Sequence, residues 1–429
     1  MTANVAGYLL QLLASRWLGV SGYSSFASLL AIQVLCAVPA LALQNVVARE
    51  VVRGAPMTAV RGLALRCAAL VAAAAVVLVP IVALVLKVSV AAAAGALCSA
   101  PLLVLLAGEQ GILQGGSRFR PLAWVLGGAA ILRVTPALVA LAVGGGPAPA
   151  LWAGAAGAAV AAVAARRVAD IVGTPHPESP VTQRGSSGRT AAGGSENAAQ
   201  AVAAEAAAPV PSVGERTRDV ALGVVPVFRA AQVQAALMAL SSADLLISRI
   251  VLSENDAGRY ALGAIAAKIA FWLPQAVGVV LYPQMAQPKH SARAMRSALA
   301  VLMGIGAVTV LGAALAAPLA PLFAGRDYAP IQGLLWLFAL DGALLAVLQA
   351  VLLSAIAADR TAPAAITWVG LGIGVTVMLT CAHSVLTLIL IATVTAAVTT
   401  LVLTAVTLHT ARDDAETPSR VPDLGPTGT

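Results

Sequence analysis

The chain of 429 residues is 60% hydrophobic and only 10% charged, and its mean hydropathy is +0.91. Soluble globular proteins are about half apolar and a quarter charged, so this composition excludes that class and indicates a membrane protein. The net charge of +8 comes from Lys and Arg scattered among short segments, which argues against a nucleic-acid partner.

Apolar runs of about 20 residues alternate with charged or Pro- and Gly-rich breaks along the chain. Because backbone polar groups must be paired in hydrocarbon, runs of this length predict helices. We therefore expect an all-α, polytopic fold of about twelve transmembrane helices. The predicted spans are 3–18, 24–47, 63–86, 88–107, 121–143, 147–165, 219–243, 258–283, 297–319, 329–357, 362–382 and 384–408.

The distribution of Lys and Arg predicts the orientation of these spans. Of the 26 basic residues, 17 fall on the side that holds both termini, 5 fall on the other side, and 4 lie inside spans. Because basic loops stay in the cytoplasm, we expect a multi-pass protein of the plasma (inner) membrane with both termini cytoplasmic. The first apolar run begins at once without a basic leader, so the natural N-terminus could lie upstream.

Composition divides the chain into two halves of six spans. We expect an N-terminal six-helix bundle over 1–165, a disordered Gly-, Ser-, Pro- and Ala-rich cytoplasmic linker over 166–218, a C-terminal six-helix bundle over 219–408 and a cytoplasmic tail over 409–429. Since each half has an even number of spans, duplicated halves would be parallel repeats related by an axis along the membrane normal.

Two landmarks support such a duplication. The turns "RWLGVSGYSSFA" and "RIVLSENDAGRYALGA" place Tyr23 and Tyr260 237 positions apart, and "RFRPLAW" and "RTAPAAITW" place Arg118 and Arg360 242 apart. The nearly constant offset favours an internal repeat. "SENDAG" itself is typical of a turn followed by a helix N-cap.

Four charged residues lie near the middle of predicted spans, namely Arg133, Arg229, Lys268 and Asp341. A basic residue at a helix centre costs about 2.5–3.5 kcal/mol on insertion scales, so such residues turn toward a partner or a cavity. Asp341 could pair with Arg229 or Lys268, or serve as a coupling carboxylate. Three bases against one central carboxylate predict a positive central cavity whose ligand is an anion, most simply a phosphate or diphosphate group.

Other polar residues in the spans could line the same cavity or bond one helix to another: Gln33, Gln44, Asn45, Gln232 and Gln234. The Gly-rich "GILQGG" predicts close helix packing, because it lacks the strand and the GK[ST] signature of a phosphate loop. The four cysteines and four histidines are not at metal-ligand spacing. We therefore expect no metal, no cofactor and no catalytic residues.

Three stretches resemble the polysaccharide-exporter branch of the multidrug/oligosaccharidyl-lipid/polysaccharide superfamily. They are "SRWLGVSGYSSFASLLAIQVLCAVPALALQNVVAREVVRG", "GILQGGSRFRPLAWVLGGAAILRV" and "LSSADLLISRIVLSENDAGRYALGAIAAKIAFWLPQAVGVVLYPQMAQ". The resemblance implies two six-helix bundles in a V that opens alternately to either face. It also implies that the motif from Gly111 to Phe119 and the carboxylate of Asp244 are structural.

The resemblance implies a lipid-linked oligosaccharide flippase or polysaccharide exporter that moves a polyprenyl-diphosphate substrate by alternating access. Arg133, Arg229 and Lys268 would then bind the diphosphate, and the partners would be membrane lipids and a polysaccharide polymerase or glycosyltransferases. A cation-coupled drug antiporter is the alternative, although the first span lacks the acidic residue of cation-coupled drug exporters. A non-transporting scaffold and a membrane enzyme are further alternatives, but the predicted outer loops are short for an enzyme.

Overall fold

The computed structural model describes residues 2–173, 223–273, 291–357 and 362–416. Its helices are α1 Thr2–Cys36, α2 Val38–Val52, α3 Met57–Val85, α4 Val90–Gly115, α5 Phe119–Ala142, α6 Pro147–Gly173, α7 Val225–Val251, α8 Glu254–Trp272, α9 Ser291–Ala316, α10 Ala320–Ala324, α11 Leu335–Ala357, α12 Ala362–Cys381 and α13 Val385–Glu416. Two 3-10 segments, Ala317–Leu319 and Arg326–Leu334, flank α10. The all-α fold class is confirmed.

Within the described residues, nine helical segments are long and apolar enough to cross a membrane. The first of them, Ala6–Val52, has 47 residues, or about 70 Å of helix, and must therefore cross a core of about 30 Å twice. The apolar part of α12, Ala365–Cys381, is slightly shorter than a full span, and α8 ends where the described residues are interrupted. Together these elements account for the twelve predicted spans.

The first two spans are separated at Gly19. Its backbone has φ 66° and ψ −178°, a combination that residues with a Cβ rarely adopt, so a glycine allows α1 to change direction here. A second break follows at Ala37, where Pro39 lies in the first turn of α2. The predicted turn after the first span is thus a single-residue break in an otherwise continuous helix.

The helices pack as two halves. In the first half, α4 contacts α2, α3 and α6, and α5 packs along α6; in the second half, α11 contacts α8, α9 and α13. The halves meet where α1 packs against α7 and α8 and where α2 packs against α7. The two helices nearest the N-terminus therefore hold the second half against the first.

Glycines permit close approach inside the first half. An added Cβ at Gly111 would lie 2.6 Å from the Gln44 carbonyl oxygen, and one at Gly115 would lie 2.5 Å from the Ala48 carbonyl oxygen. Since α4 presses against the backbone of α2 at both glycines, the packing role predicted for "GILQGG" is confirmed.

Several helix ends differ from the predicted spans. Helix α6 continues to Gly173, past the predicted start of the linker at 166, and α7 runs over Val225–Val251 instead of 219–243. Polar residues in the last turns of α7, among them Asp244 and Arg249, are buried within the protein, so hydropathy alone placed the end of the span too early. Helix α13 likewise continues into the predicted tail, to Glu416.

The turn predicted from "SENDAG" is confirmed, because the Ser253 hydroxyl caps α8 by accepting a hydrogen bond from the Asp256 N–H at 3.2 Å. The repeat landmarks Tyr23 and Tyr260 are both fully buried. Arg360, the partner of Arg118 in the second landmark, lies outside the described residues.

Candidate functional site

Small residues bring α8 and α11 into close contact at the centre of the second half. An added Cβ at Gly342 would collide with the backbone carbonyl of Ala267, and one at Gly263 would collide with the ring of Phe338. Lys268 directly follows Ala267 in the chain, and Asp341 directly precedes Gly342. The close packing of the two backbones therefore fixes the position of both charged residues.

Four polar residues from three helices interact here and form what we call the acid cluster: Asp244 on α7, Tyr260 and the half-buried Lys268 on α8, and Asp341 on α11. Tyr260 donates a hydrogen bond to Asp244 Oδ2 at 2.6 Å. The ring of Tyr260 also packs edge-on against Phe338, with ring centroids 4.9 Å apart. These contacts hold the phenol in one orientation toward the carboxylate.

The acid cluster contains more acid than base. Asp244 and Asp341 are each only 5% exposed, and each interacts electrostatically with the other. Lys268 interacts electrostatically with Asp244. The sequence analysis considered Arg229 or Lys268 as a partner of Asp341, and that pairing stays a prediction. With all three groups ionised, the cluster carries a net charge of −1, so a proton or a bound cation would neutralise it.

Asp244 is the one residue of the acid cluster whose buried carboxylate the sequence analysis did not place inside a span. The predicted seventh span ended at 243, which placed this residue in a loop, and the resemblance suggested a structural role for it. In the structure α7 continues seven residues beyond Asp244 to Val251, so the carboxylate is enclosed by protein. The charge count of three bases against one acid omitted this second carboxylate.

Arg133 has no acidic partner among the residues that the structure describes. It lies on α5 beside α6, where an added Cβ at Gly157 would collide with the backbone of Leu132 and Arg133. The side chain is half-buried, and within the described part of the chain no hydrogen bond or ion pair satisfies its guanidinium. The Arg133 guanidinium, which the sequence predicts to attract an anion, is therefore not neutralised by any described carboxylate.

The other residues predicted to line the cavity differ in burial. Arg229 lies on α7, but its side chain is outside the described residues. Gln33 is buried, whereas Asn45 and Gln232 are exposed. Gln44 donates from Nε2 to Gln114 Oε1 at 2.9 Å and so bonds α2 to α4, the helix-to-helix role that was one of the two expectations for this residue. The central cavity itself stays a prediction.

The first half contains an ion network that the sequence did not reveal. Arg61 on α3 donates from Nε and Nη2 to both oxygens of Glu109 on α4, at 3.1 and 3.0 Å, and from Nη2 to Asp170 on α6 at 2.6 Å. Arg61 lies between the predicted spans 24–47 and 63–86, and no spacing pattern connects residues so distant in the chain. The network joins three helices of one half and does not reach the second half.

The two halves are bonded to each other at one end of the bundle. We call it the Gly19 end; it contains the break at Gly19, the turn after α3 and the turn before α8. Here the Ser21 hydroxyl donates to Glu254 Oε2 at 2.8 Å, and Tyr328 donates to the Ser15 carbonyl oxygen at 3.3 Å. Arg249 makes three further bonds across the same boundary.

Away from this end, a hydrogen bond also joins the two halves. Tyr8 on α1 donates to the backbone carbonyl of Lys268 at 3.1 Å. The direct polar bonds between the described parts of the two halves are therefore concentrated at the Gly19 end. A molecule built in this way is closed at that end.

No protein-family model matches the sequence, and no curated protein matches it. Solved structures are similar in fold. A multidrug resistance MATE family transporter of the MOP superfamily, in an inward-facing conformation, gives a TM-score of 0.63 at 13% identity, over 98% of this chain and 96% of that one. A variant of the Vibrio cholerae MATE transporter VcmN gives 0.57 at 15% identity, over 96% and 94%.

A third solved structure, MATE in complex with MaL6, gives a TM-score of 0.51 at 12% identity, over 97% of this chain and 95% of that one. The similarity extends along nearly the whole chain in all three cases. This chain therefore has the fold of the MATE transporters, a multi-pass membrane fold of about twelve helices.

Proposed function

We propose that the protein is an ion-coupled, alternating-access transporter that exports small molecules. The observation that carries the proposal is the acid cluster, in which two buried carboxylates face one lysine. A proton or monovalent cation arriving at Asp244 or Asp341 balances the excess negative charge, and its departure restores it. One of the solved structures that share this fold is a multidrug resistance MATE family transporter, which supports this substrate class.

The excess of Lys and Arg on the side of the termini assigns the Gly19 end to the outer face of the plasma membrane, with both termini in the cytoplasm. In this orientation the structure is closed toward the outside. Export then requires that the bonds at the Gly19 end break while the opposite end closes, so that one central site is open to each face in turn.

Reconstituted proteoliposomes test the proposal. Under an imposed proton or sodium gradient, we expect gradient-dependent movement of a fluorescent organic cation such as ethidium. Asp244→Asn and Asp341→Asn should each reduce the rate by about ten-fold or more, because the amide cannot take up a proton and provides no charge for a cation. Asp256→Asn, at the surface of the Gly19 end, serves as the matched control and should retain the wild-type rate.

The coupling proposal fails if movement is independent of both gradients, or if both cluster variants transport at the wild-type rate. Size-exclusion chromatography and thermal melting of every variant separate loss of transport from loss of folding. If the wild-type protein moves no organic cation, export of small organic cations is refuted and a second substrate class has to be tested.

That second class is the lipid-linked oligosaccharide, and Arg133 favours it. A half-buried guanidinium that has no acidic partner in the described part of the chain suits a phosphate or diphosphate, to which it can donate paired hydrogen bonds. A polysaccharide polymerase or glycosyltransferases would then be the protein partners. Binding of a polyprenyl-diphosphate sugar to protein in nanodiscs should weaken by about ten-fold or more in Arg133→Ala, Arg229→Ala and Lys268→Ala.

Arg66→Ala is the control for that binding experiment. Arg66 lies exposed on α3, and its guanidinium donates to the Gly62 carbonyl of its own helix. Equal affinity in wild type and all three cavity variants, or loss of the same size in Arg66→Ala, would rule out a midplane diphosphate site.

A further inference from the structure

Arg249 is a buried charge that belongs to the second half but has most of its hydrogen-bond acceptors in the first. It lies in the last turn of α7 and is 6% exposed. Its guanidinium donates from Nε to the Leu86 carbonyl at 3.1 Å, from Nη1 to Ser24 Oγ at 2.5 Å and from Nη2 to the Lys87 carbonyl at 3.3 Å. Glu254, its acidic neighbour within the second half, is 3.5 Å away.

The acceptors are presented by a turn of unusual geometry. Lys87 has φ 51°, in the left-handed region, and the turn directly follows α3. Two successive carbonyl groups of this turn accept from the same guanidinium. A planar fork of five N–H donors satisfies several acceptors at once, which the single ammonium of a lysine cannot do with the same geometry.

The backbones of the two halves also touch at this end. An added Cβ at Gly258 on α8 would collide with the carbonyl of Val20 on α1. The contact leaves no room for water between the two helices there. Arg249 is therefore shielded from solvent only while the halves remain together, and separation would expose both the guanidinium and its acceptors.

One group at the same place opposes closure. Tyr23 precedes Ser24 in the chain, is fully buried beside Tyr328, and its hydroxyl lacks a hydrogen-bond partner within the described residues. At the equivalent position of the second half, Tyr260 donates to Asp244. Because an unsatisfied hydroxyl regains hydrogen bonds once water reaches it, burial of Tyr23 disfavours the closed state.

We propose that Arg249 is the latch of a gate at the Gly19 end and that the Tyr23 hydroxyl limits the stability of the closed gate. This inference rests on the proposed alternating access, since it names the contacts that must break when the outer side opens. The bonds of Arg249 favour the closed state, and the buried hydroxyl of Tyr23 favours opening. The balance between them keeps the gate reversible.

Distance measurements between spin labels test the latch without any substrate. In a variant whose four cysteines are replaced by alanine, cysteines at Val143 and His383 carry the labels, one at the Gly19 end of each half. Wild type in nanodiscs should populate mainly the short distance. Arg249→Gln should increase the ratio of open to closed molecules by about ten-fold or more, because its amide cannot reproduce three bonds from a guanidinium.

Three further variants make the result specific. Ser24→Ala removes one acceptor and should shift the ratio in the same direction by a smaller factor, and it covers the case in which Arg249→Gln does not fold. Tyr23→Phe should shift the ratio toward the closed state by about five-fold or more. Arg259→Gln is the control: this arginine lies at the same end, but its bonds to Asp256 and Asp327 stay within the second half.

The latch is overturned if Arg249→Gln and Ser24→Ala retain the wild-type distance distribution, or if Arg259→Gln opens the gate as much as Arg249→Gln does. The role of Tyr23 is overturned if Tyr23→Phe shifts the distribution toward open. If the protein shows the expected distances but transports neither class of substrate, the latch proposal is supported and the proposed function is refuted.

Discussion

Tyr23 and Tyr260, the pair of tyrosines in the predicted repeat, differ in one hydrogen bond. Both rings are fully buried, but Tyr260 donates to Asp244 at 2.6 Å, while the Tyr23 hydroxyl has no partner among the described residues. A buried hydroxyl is stabilising when it has an acceptor and costly when it has none. The two hydroxyls therefore make contributions of opposite sign to stability.

Replacing each tyrosine by phenylalanine tests this contrast. Tyr260→Phe should lower the free energy of unfolding by about 1–3 kcal/mol, because Asp244 loses its donor while it remains buried. Tyr23→Phe should leave stability unchanged or raise it, since no bond is lost. Thermal melting in one detergent at one ionic strength compares the two. Because both substitutions keep the aromatic ring, equal losses in the two variants would show that the hydrogen bond from Tyr260 to Asp244 does not stabilise the protein.

At the scale of helices, glycine at a crossing point decides how closely two elements pack. At Gly342 on α11 an added Cβ would collide with the carbonyl of Ala267, whereas at Gly304 on α9 nothing lies within 4 Å. Both glycines are inside helices, where alanine is intrinsically preferred by about 1 kcal/mol. The two positions therefore separate helix propensity from helix packing.

Gly342→Ala should lower the free energy of unfolding by about 1–3 kcal/mol, because α11 must move away from α8 and carry Asp341 out of the acid cluster. Gly304→Ala should be neutral or stabilising by up to about 1 kcal/mol. Melting temperatures of the two variants against wild type provide the measurement. A Gly342→Ala protein as stable as wild type would show that α8 and α11 can separate without cost.

For the molecule as a whole, hydropathy was sufficient to predict an all-α fold of about twelve spans. Hydropathy locates the membrane spans well because the thickness of the bilayer sets the length of each apolar run. The polar contacts could not be predicted in the same way. Arg249 bonds to carbonyl groups about 160 positions away, and Asp244 was placed in a loop because buried polar residues at the end of α7 resemble solvent-exposed ones. Spacing along the chain carries no information about such contacts.

The orientation of the molecule in the membrane is the last prediction, and it decides what the closed Gly19 end means. The basic residues predict that this end faces outward. In a variant without its native cysteines, Asn255→Cys lies at the Gly19 end and Ser117→Cys in the turn between α4 and α5 at the opposite end; both positions are exposed. A membrane-impermeant maleimide should label the first in intact cells and the second only in inverted vesicles. The reverse pattern would make the latch at Arg249 a cytoplasmic gate, and the structure would then be closed toward the cell interior.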